Sequence, residues 1–359
     1  MMKGRVLIAG FATRHVAQSA HHAGYEVCAV DHFCDQDLAW YTKDREKFED
    51  LTDLPDAIER ICRRHTFDLF VPTSGAEDLA PPLPLCGTQP DTLAKFLDKL
   101  DTQHFFQQNN IVIPRALPED QYPVMVKPRR GAGGWRNAVI ENKEAMTVWE
   151  SVYLDVPYIR QEIVEGIPAS VCCIATGTEA LAIASNRQIL RGGGESAFGF
   201  SGSVTPFSHP AAEQIICIAE RIAAASGCRG TIGIDFVAGD ETPYAIEVNP
   251  RFQGTADTVE RAFGCNLFEC HVNACAGILP RKRPPFRQFA LRSILFAERD
   301  LTVRADLRHF RDFIADIPWP GTSLEEEQAI VSVYGWGRTE EDARALLDKH
   351  ITTIRQYMR

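Results

Sequence analysis

Asp235, Glu247 and Asn249 stand within one short stretch and are the residues whose types and spacing most directly suggest chemistry. Ile234–Val237 and Tyr244–Val248 run apolar or alternate, and Ala238-Gly-Asp-Glu-Thr-Pro243 between them has turn composition, so the spacing predicts a β-hairpin. Asp235 and Glu247 then sit on neighbouring strands. Asn249, two residues beyond Glu247, shares its face because side chains alternate along a strand. Three oxygen donors on one surface suit Mg2+, which takes carboxylates together with substrate phosphate oxygens. An ordinary ion-pair cluster closed by Arg251 would use the same residues, and this stretch alone leaves both readings open.

Two other segments offer groups to an anion. Pro123-Val-Met-Val-Lys-Pro128 is a short apolar strand closed by Lys127, and Arg129-Arg-Gly-Ala-Gly-Gly134 follows it. Glycines let backbone amides approach a phosphate, and Lys127 with two arginines supplies charge. No Lys-Ser/Thr follows the glycines at a helix start, so the loop is not of the Walker type and serves equally as a hairpin turn. Arg191–Ser203 is a second glycine-rich run, too long for a tight turn. It is either a loop that covers a reaction centre or an exposed connection.

The elements that must position these groups begin with Arg5–Gly10, a buried-strand run, a helix over Thr13–Ala23 and a second strand over Tyr25–Asp31. This is a parallel βαβ opening. A helix over Leu54–His65 and a strand over Asp68–Val71 extend it. Only Gly10 stands in the first turn, so the dinucleotide fingerprint is missing, and Asp31 would be the ribose acid of that reading. The segments Thr13–His15 and Ser74–Asp78 fall at the carboxyl edge of the sheet, where such sheets bind ligands. Proline-rich Ala80–Leu85 reads as a linker, and Asp91–Asn109 as one helix carrying Lys95 and Lys99.

The formal net charge of −10 argues against a nucleic-acid partner, which needs a basic footprint. No apolar run reaches the roughly 18 residues of a membrane span, and Met1–Arg5 leads straight into a strand, so the expectation is a cytoplasmic protein without a membrane partner. Eleven cysteines scattered through apolar segments read as buried reduced thiols. Among Cys265, Cys270, His271 and Cys275, five-residue steps along a helix rotate each cysteine about 140° from the last, so the set shares no single face. No zinc-type spacing is present.

Taken together and in this order, the motifs resemble the ATP-grasp superfamily over about residues 1 to 290. The resemblance implies a mixed α/β and α+β fold: a Rossmann-like domain over 1–88, a two-lobed ATP-grasp domain over 89–290 and a small C-terminal α+β subdomain over 291–359. It implies that Lys99 and Lys127 contact the nucleotide and that Gly131, Gly133 and Gly134 form a flap over its phosphates. Gln161, Glu162, Ile163 and Val164 fall on the hinge that holds adenine. Pro168 stands where many members carry a ribose-contacting glutamate, which leaves Glu165 as its substitute. Asp235, Glu247 and Asn249 match the ligands of Mg2+, with Mn2+ as its replacement. Arg251, with Lys127 and Gln253, matches the groups around the transferred phosphoryl.

The run Asn249–Glu260 is also similar to biotin carboxylase, but Thr255 occupies the place of that family's basic glutamate. Segments 316–321, 329–333 and 337–343 follow the order of its C-terminal subdomain. The activity implied is ATP-dependent ligation, in which a small-molecule carboxylate becomes an acyl phosphate and an amine displaces the phosphate. The relatives implied are ligases and the carbamoyl-phosphate synthase large chain, a class that often forms homodimers. A carboxylase and a non-catalytic ATP-binding regulatory protein are the alternatives.

Overall fold

The computed structural model describes residues 2–131, 133–193, 197–240 and 242–358. The opening segment alternates strands and helices: β1 (Arg5–Gly10), α1 (Arg14–His22), β2 (Glu26–Asp31), α2 (Leu38–Tyr41), β3 (Asp44–Lys47), α3 (Leu54–Cys62) and β4 (Leu69–Pro72). Its strands are all parallel, in the order β3-β2-β1-β4. Apolar runs are required because both faces are covered. Val6, Ile8, Val27 and Ala29 pack toward α1, while Leu7, Ala9, Cys28 and Val30 pack toward α3.

β3, Asp44-Arg-Glu-Lys47, has no apolar pattern to announce it. An edge strand needs only backbone pairing on one side, and its charges are engaged by α3 and the loop beyond, with Asp44 at 2.9 Å from Arg64 and 2.8 Å from His65. Asp31 is not available to a ribose. Its carboxylate accepts from Thr13 Oγ1 at 2.8 Å, Phe33 N at 2.8 Å and Cys34 N at 2.7 Å, and so holds the loops at the sheet's carboxyl edge. The proline-rich run returns along that sheet, with Leu85 bridged to Phe70.

The single helix expected over 91–109 is broken. α4 (Pro90–Leu93) passes into a 3-10 turn over Ala94–Phe96, and α5 (Lys99–Gln108) starts afresh behind Asp98, whose side chain accepts from Leu100 N at 2.9 Å. An aspartate that can cap a new helix competes with continuing the old one. A small antiparallel sheet follows, of β5 (Val124–Pro128), β6 (Ala138–Ile140) and β7 (Tyr158–Gln161) in the order β6-β5-β7, with α6 (Lys143–Val152) against it. Val124, Val126, Ile140, Met146 and Trp149 form its core.

The remaining elements are β8 (Ile167–Thr176), β9 (Ala180–Leu190), β10 (Phe200–Thr205), α7 (Ala212–Ser226), β11 (Arg229–Ala238), β12 (Pro243–Asn249), α8 (Ala256–Phe263), α9 (Leu267–Cys275), β13 (Phe289–Phe296), β14 (Leu301–Thr302), β15 (Ile314–Ala315), β16 (Ser323–Leu324), β17 (Ala329–Gly337) and α10 (Glu340–Tyr357). Eight of these strands make one antiparallel sheet in the order β12-β11-β8-β9-β10-β13-β17-β15. α7 covers one face, and α8 and α9 cover the other, where they meet α1. The 290/291 division therefore falls inside β13, a strand of this continuous sheet. α10 lies on β17 at Gly335, where a Cβ would stand 2.3 Å from Ala343 O, so only glycine admits the helix this close. Among the described residues no helix is long and apolar enough to cross a membrane.

Candidate active site

β11 and β12 pair antiparallel, with Asp235 directly opposite Glu247 and Gly233 opposite Asn249. Cross-strand partners share a face, so the pairing continues the polar file from Asp235 to Ser170 on β8 and Asn186 on β9. Asp235 Oδ2 accepts from Asn249 Nδ2 at 3.0 Å, and Oδ1 accepts from Gln188 Nε2 at 2.9 Å. Burial, and then the neighbouring Glu247 charge, push the Asp235 carboxyl up to about 7. Two half-buried carboxylates stand opposite each other on neighbouring strands, with an amide beside them. That donor set fits a divalent cation.

The cations come from other elements. Lys99 opens α5, and its Nζ lies 3.3 Å from Glu247 Oε1 and donates to Gly131 O at 2.9 Å. Its amide donates to Arg129 O at 2.8 Å, so the start of α5 and the glycine loop are held together. Arg129 itself does not face a ligand. It is paired with Asp98 at 2.7 Å, which removes one of the two loop arginines from the expected phosphate charge. Lys127 ends β5, and burial lowers its ammonium to about 8, with Lys99 adding to the fall and Glu247 opposing it.

Register places the hinge beside this lysine. Lys127 pairs with Ile159 and Met125 with Gln161, so all four side chains share one face of the small sheet. Gln161 is buried, and its Oε1 has no hydrogen-bond partner among the described residues. A buried acceptor of this kind fits an incoming N–H donor. Glu162 is otherwise occupied, because its Oε1 accepts from Arg115 N at 2.8 Å. Ile163 and Glu165 are exposed and Val164 is half-buried. The hinge rests on the β11–β12 turn, where a Cβ on Gly166 would stand 2.4 Å from Ala238 O.

Gly131, Gly133 and Gly134 all have left-handed φ, and a Cβ on Gly134 would stand 2.4 Å from Phe198 O. The two glycine-rich segments thus touch, although Ala132 and residues 194–196 lie outside the described residues. Arg251 is gripped from two sides. Its Nε lies 2.5 Å from Glu77 Oε1, and its Nη2 donates to Asn249 Oδ1 at 3.0 Å. Gln253 lies against Gly233, where a Cβ would come within 2.4 Å of Gln253 Cδ, and its Nε2 donates to Arg251 O. Thr255 is buried, with Oγ1 unpartnered among the described residues.

Asp235, Glu247, Asn249, Arg251, Lys99 and the glycine loop are therefore linked by direct contacts. Lys127 joins them through the charges of Glu247 and Lys99, and Gln161 through its strand pairing. Three groups escaped sequence reasoning. Glu77 belongs to the 74–78 segment expected at the sheet edge, but nothing in that segment pairs it with Arg251. Gln188 reaches Asp235 only through sheet order. His15, in the 13–15 segment, is held neutral by burial, which lowers it to about 4, and its Nε2 has no partner among the described residues.

A family model of the ATP-grasp domain matches residues 96–255. The carbamoyl phosphate synthase large chain of Micrococcus luteus is 27% identical over 287 residues, which cover 70% of this chain and 26% of that relative, so the chain spans about a quarter of its length. Among solved structures, biotin carboxylase of Campylobacter jejuni superposes with a TM-score of 0.76 at 15% identity, covering 97% of this chain and 90% of that one. The L-amino acid ligase of Bacillus licheniformis does so at 0.72 and 15% identity, covering 98% of both chains. The fold is the mixed α/β one of these proteins.

Proposed function

Residues 96–255 form an ATP-grasp domain, and from that premise we propose that the chain is an ATP-dependent carboxylate–amine ligase. The observation that carries the reading is the half-buried Asp235–Glu247 pair with Lys99 against it and Lys127 close by. A carboxylate resists an amine because it has no leaving group. Phosphorylation supplies one, and the amine then expels phosphate, leaving an amide, ADP and phosphate. The protein's part is positioning and charge neutralisation.

Lys127 and Lys99 offset the charge of the ATP phosphates, with Gly131, Gly133 and Gly134 as the flap above them. Gln161 to Val164 hold the adenine, and exposed Glu165 takes the ribose in place of Pro168, which is paired with Val237 inside the sheet. Asp235, Glu247 and Asn249 would hold Mg2+, or Mn2+ in its place, which would supply positive charge against the ATP phosphates. Arg251, steadied by Glu77 and Asn249, binds the carboxylate under activation, and Gln253 orients it. Thr255 carries no group that titrates as a base near neutrality, which favours ligation over carboxylation. The architecture divides into 1–88, 89–290 and 291–359, the last part sharing the large sheet through β13.

A screen of carboxylates crossed with amines for Mg2+-dependent ADP release tests this reading. Glu247→Gln is expected to abolish release while circular dichroism stays unchanged. Near-normal turnover in that variant would remove Glu247 from the metal site. Tight ATP binding with no ADP from any pair would favour a non-catalytic nucleotide-binding protein instead.

A further inference from the structure

One buried cluster has no part in the ligase reading. Cys86 follows the proline-rich run along the first sheet, its amide donating to Phe70 O at 2.8 Å. His271 and Cys275 are one turn apart on α9 and share a face, a spacing that comparison of the cysteines alone does not bring out. One ligand atom from each of Cys86, His271 and Cys275 lies within 4.8 Å of the others. Gly230 of β11 makes the room, since a Cβ there would stand 2.4 Å from His271 Cε1 and 3.2 Å from Cys275 Sγ.

Two thiols beside an imidazole can hold a metal or exchange electrons, and the bonds of His271 choose between these. Thr231 N donates to His271 Nδ1 at 2.9 Å, so that lone pair is used. Nε2 then carries the proton and faces the Cys86 carbonyl oxygen at 3.0 Å. Neither nitrogen is free for an ion, and two sulfurs alone fall short of the four ligands of a structural zinc site. The thiols are left as a close pair, one buried and one half-buried, with their sulfurs within 4.8 Å of each other.

We propose that Cys86 and Cys275 form a dithiol that hydrogen peroxide oxidises to a disulfide, tying the segment after the first sheet to α9. The Cys86 thiolate attacks one peroxide oxygen, breaking the O–O bond; the hydroxide released takes a proton and leaves as water, and Cys86 becomes a sulfenic acid. Cys275 sulfur attacks that sulfur, the S–O bond breaks, and the oxygen leaves as a second water with the Cys275 proton. The two sulfurs lose two electrons and the peroxide gains them. Contact between the two thiols lowers Cys86 and, with burial, raises Cys275.

The test treats the full chain with hydrogen peroxide, alkylates free thiols and maps peptides without reductant. The expected result is a Cys86–Cys275 cross-linked peptide that dithiothreitol reverses and that survives in Cys228→Ser, a control at another buried cysteine. In Cys275→Ser, dimedone should capture a sulfenic acid on Cys86. Both thiols remaining alkylatable while exposed Cys217 oxidises would overturn the proposal. So would stoichiometric zinc in the purified protein that is lost in Cys86→Ser, which would make the cluster a metal site. Should either variant fail to fold, the peptide map of the parent protein still decides.

Discussion

Lys127→Met should make the protein more stable and its nucleotide binding weaker. Burial lowers this ammonium from 10.5 to about 8, so the folded state holds the proton less tightly than the unfolded chain does. Between those two values the unfolded chain binds more protons, and stability rises with pH across that window. Below it the full cost is present. A shift of this size is worth about 3 kcal/mol, and the side chain's partial contact with solvent trims that to about 2 kcal/mol. Methionine has a similar length and no charge, so near neutral pH the variant should melt higher, by about 3 °C. Its gain should shrink as pH rises past that of the lysine. The same change removes a charge-assisted contact to phosphate worth about 1.5–3 kcal/mol, or roughly 10- to 100-fold in affinity. Differential scanning fluorimetry near neutrality and at about pH 10, with calorimetric titration of Mg2+–ATP, reads both effects. A variant that melts at or below the parent near neutrality, with ATP affinity unchanged, would refute the argument and leave Lys127 as a surface charge.

Asp235 should give the metal-free protein an opposite pH dependence. Its folded value is raised from 3.8 to about 7, so its contribution is fully present below the lower value and is lost as pH rises through the upper one. Saturating Mg2+ should flatten that fall, and a melting profile identical in Asp235→Ala would contradict it. Glu77→Gln leaves Arg251 without its charged partner in a largely buried pair, and an unfolding free energy from urea titration lowered by about 1–3 kcal/mol is expected; an unchanged value would mean that solvent screens the bridge. Gly233→Ala drives a methyl into Gln253, so ADP release should fall while ATP affinity, measured by titration, stays within about twofold. Loss of ATP binding there would instead indicate damage to the whole lobe.

The part of the candidate site that is legible in the sequence is the part whose geometry is local. Asp235, Glu247 and Asn249 lie on one hairpin whose turn residues and alternation are written in the chain, and pairing then puts the two acids opposite each other. Lys127 at a strand end and the glycines after it are readable for the same reason. Misreadings arose where one local preference beat another or where no pattern exists. Asp98 caps a new helix and so interrupts the expected one. Polar β3 has no periodicity to detect. The Arg129 charge looked free until Asp98, on another element, was placed against it.

The amino-acid sequence by itself determined the parallel βαβ opening, the strand hairpin bearing the acids, the basic glycine loop and the absence of a dinucleotide fingerprint, because periodicity and turn chemistry act over a few residues. Only the tertiary structure decided which distant groups meet. Sheet order carries Gln188 to Asp235, the carboxyl edge of the first sheet delivers Glu77 to Arg251, and the packing of α9 on β11 brings His271 and Cys275 to Cys86. Such meetings depend on how whole faces bury one another, and no spacing along the chain records that.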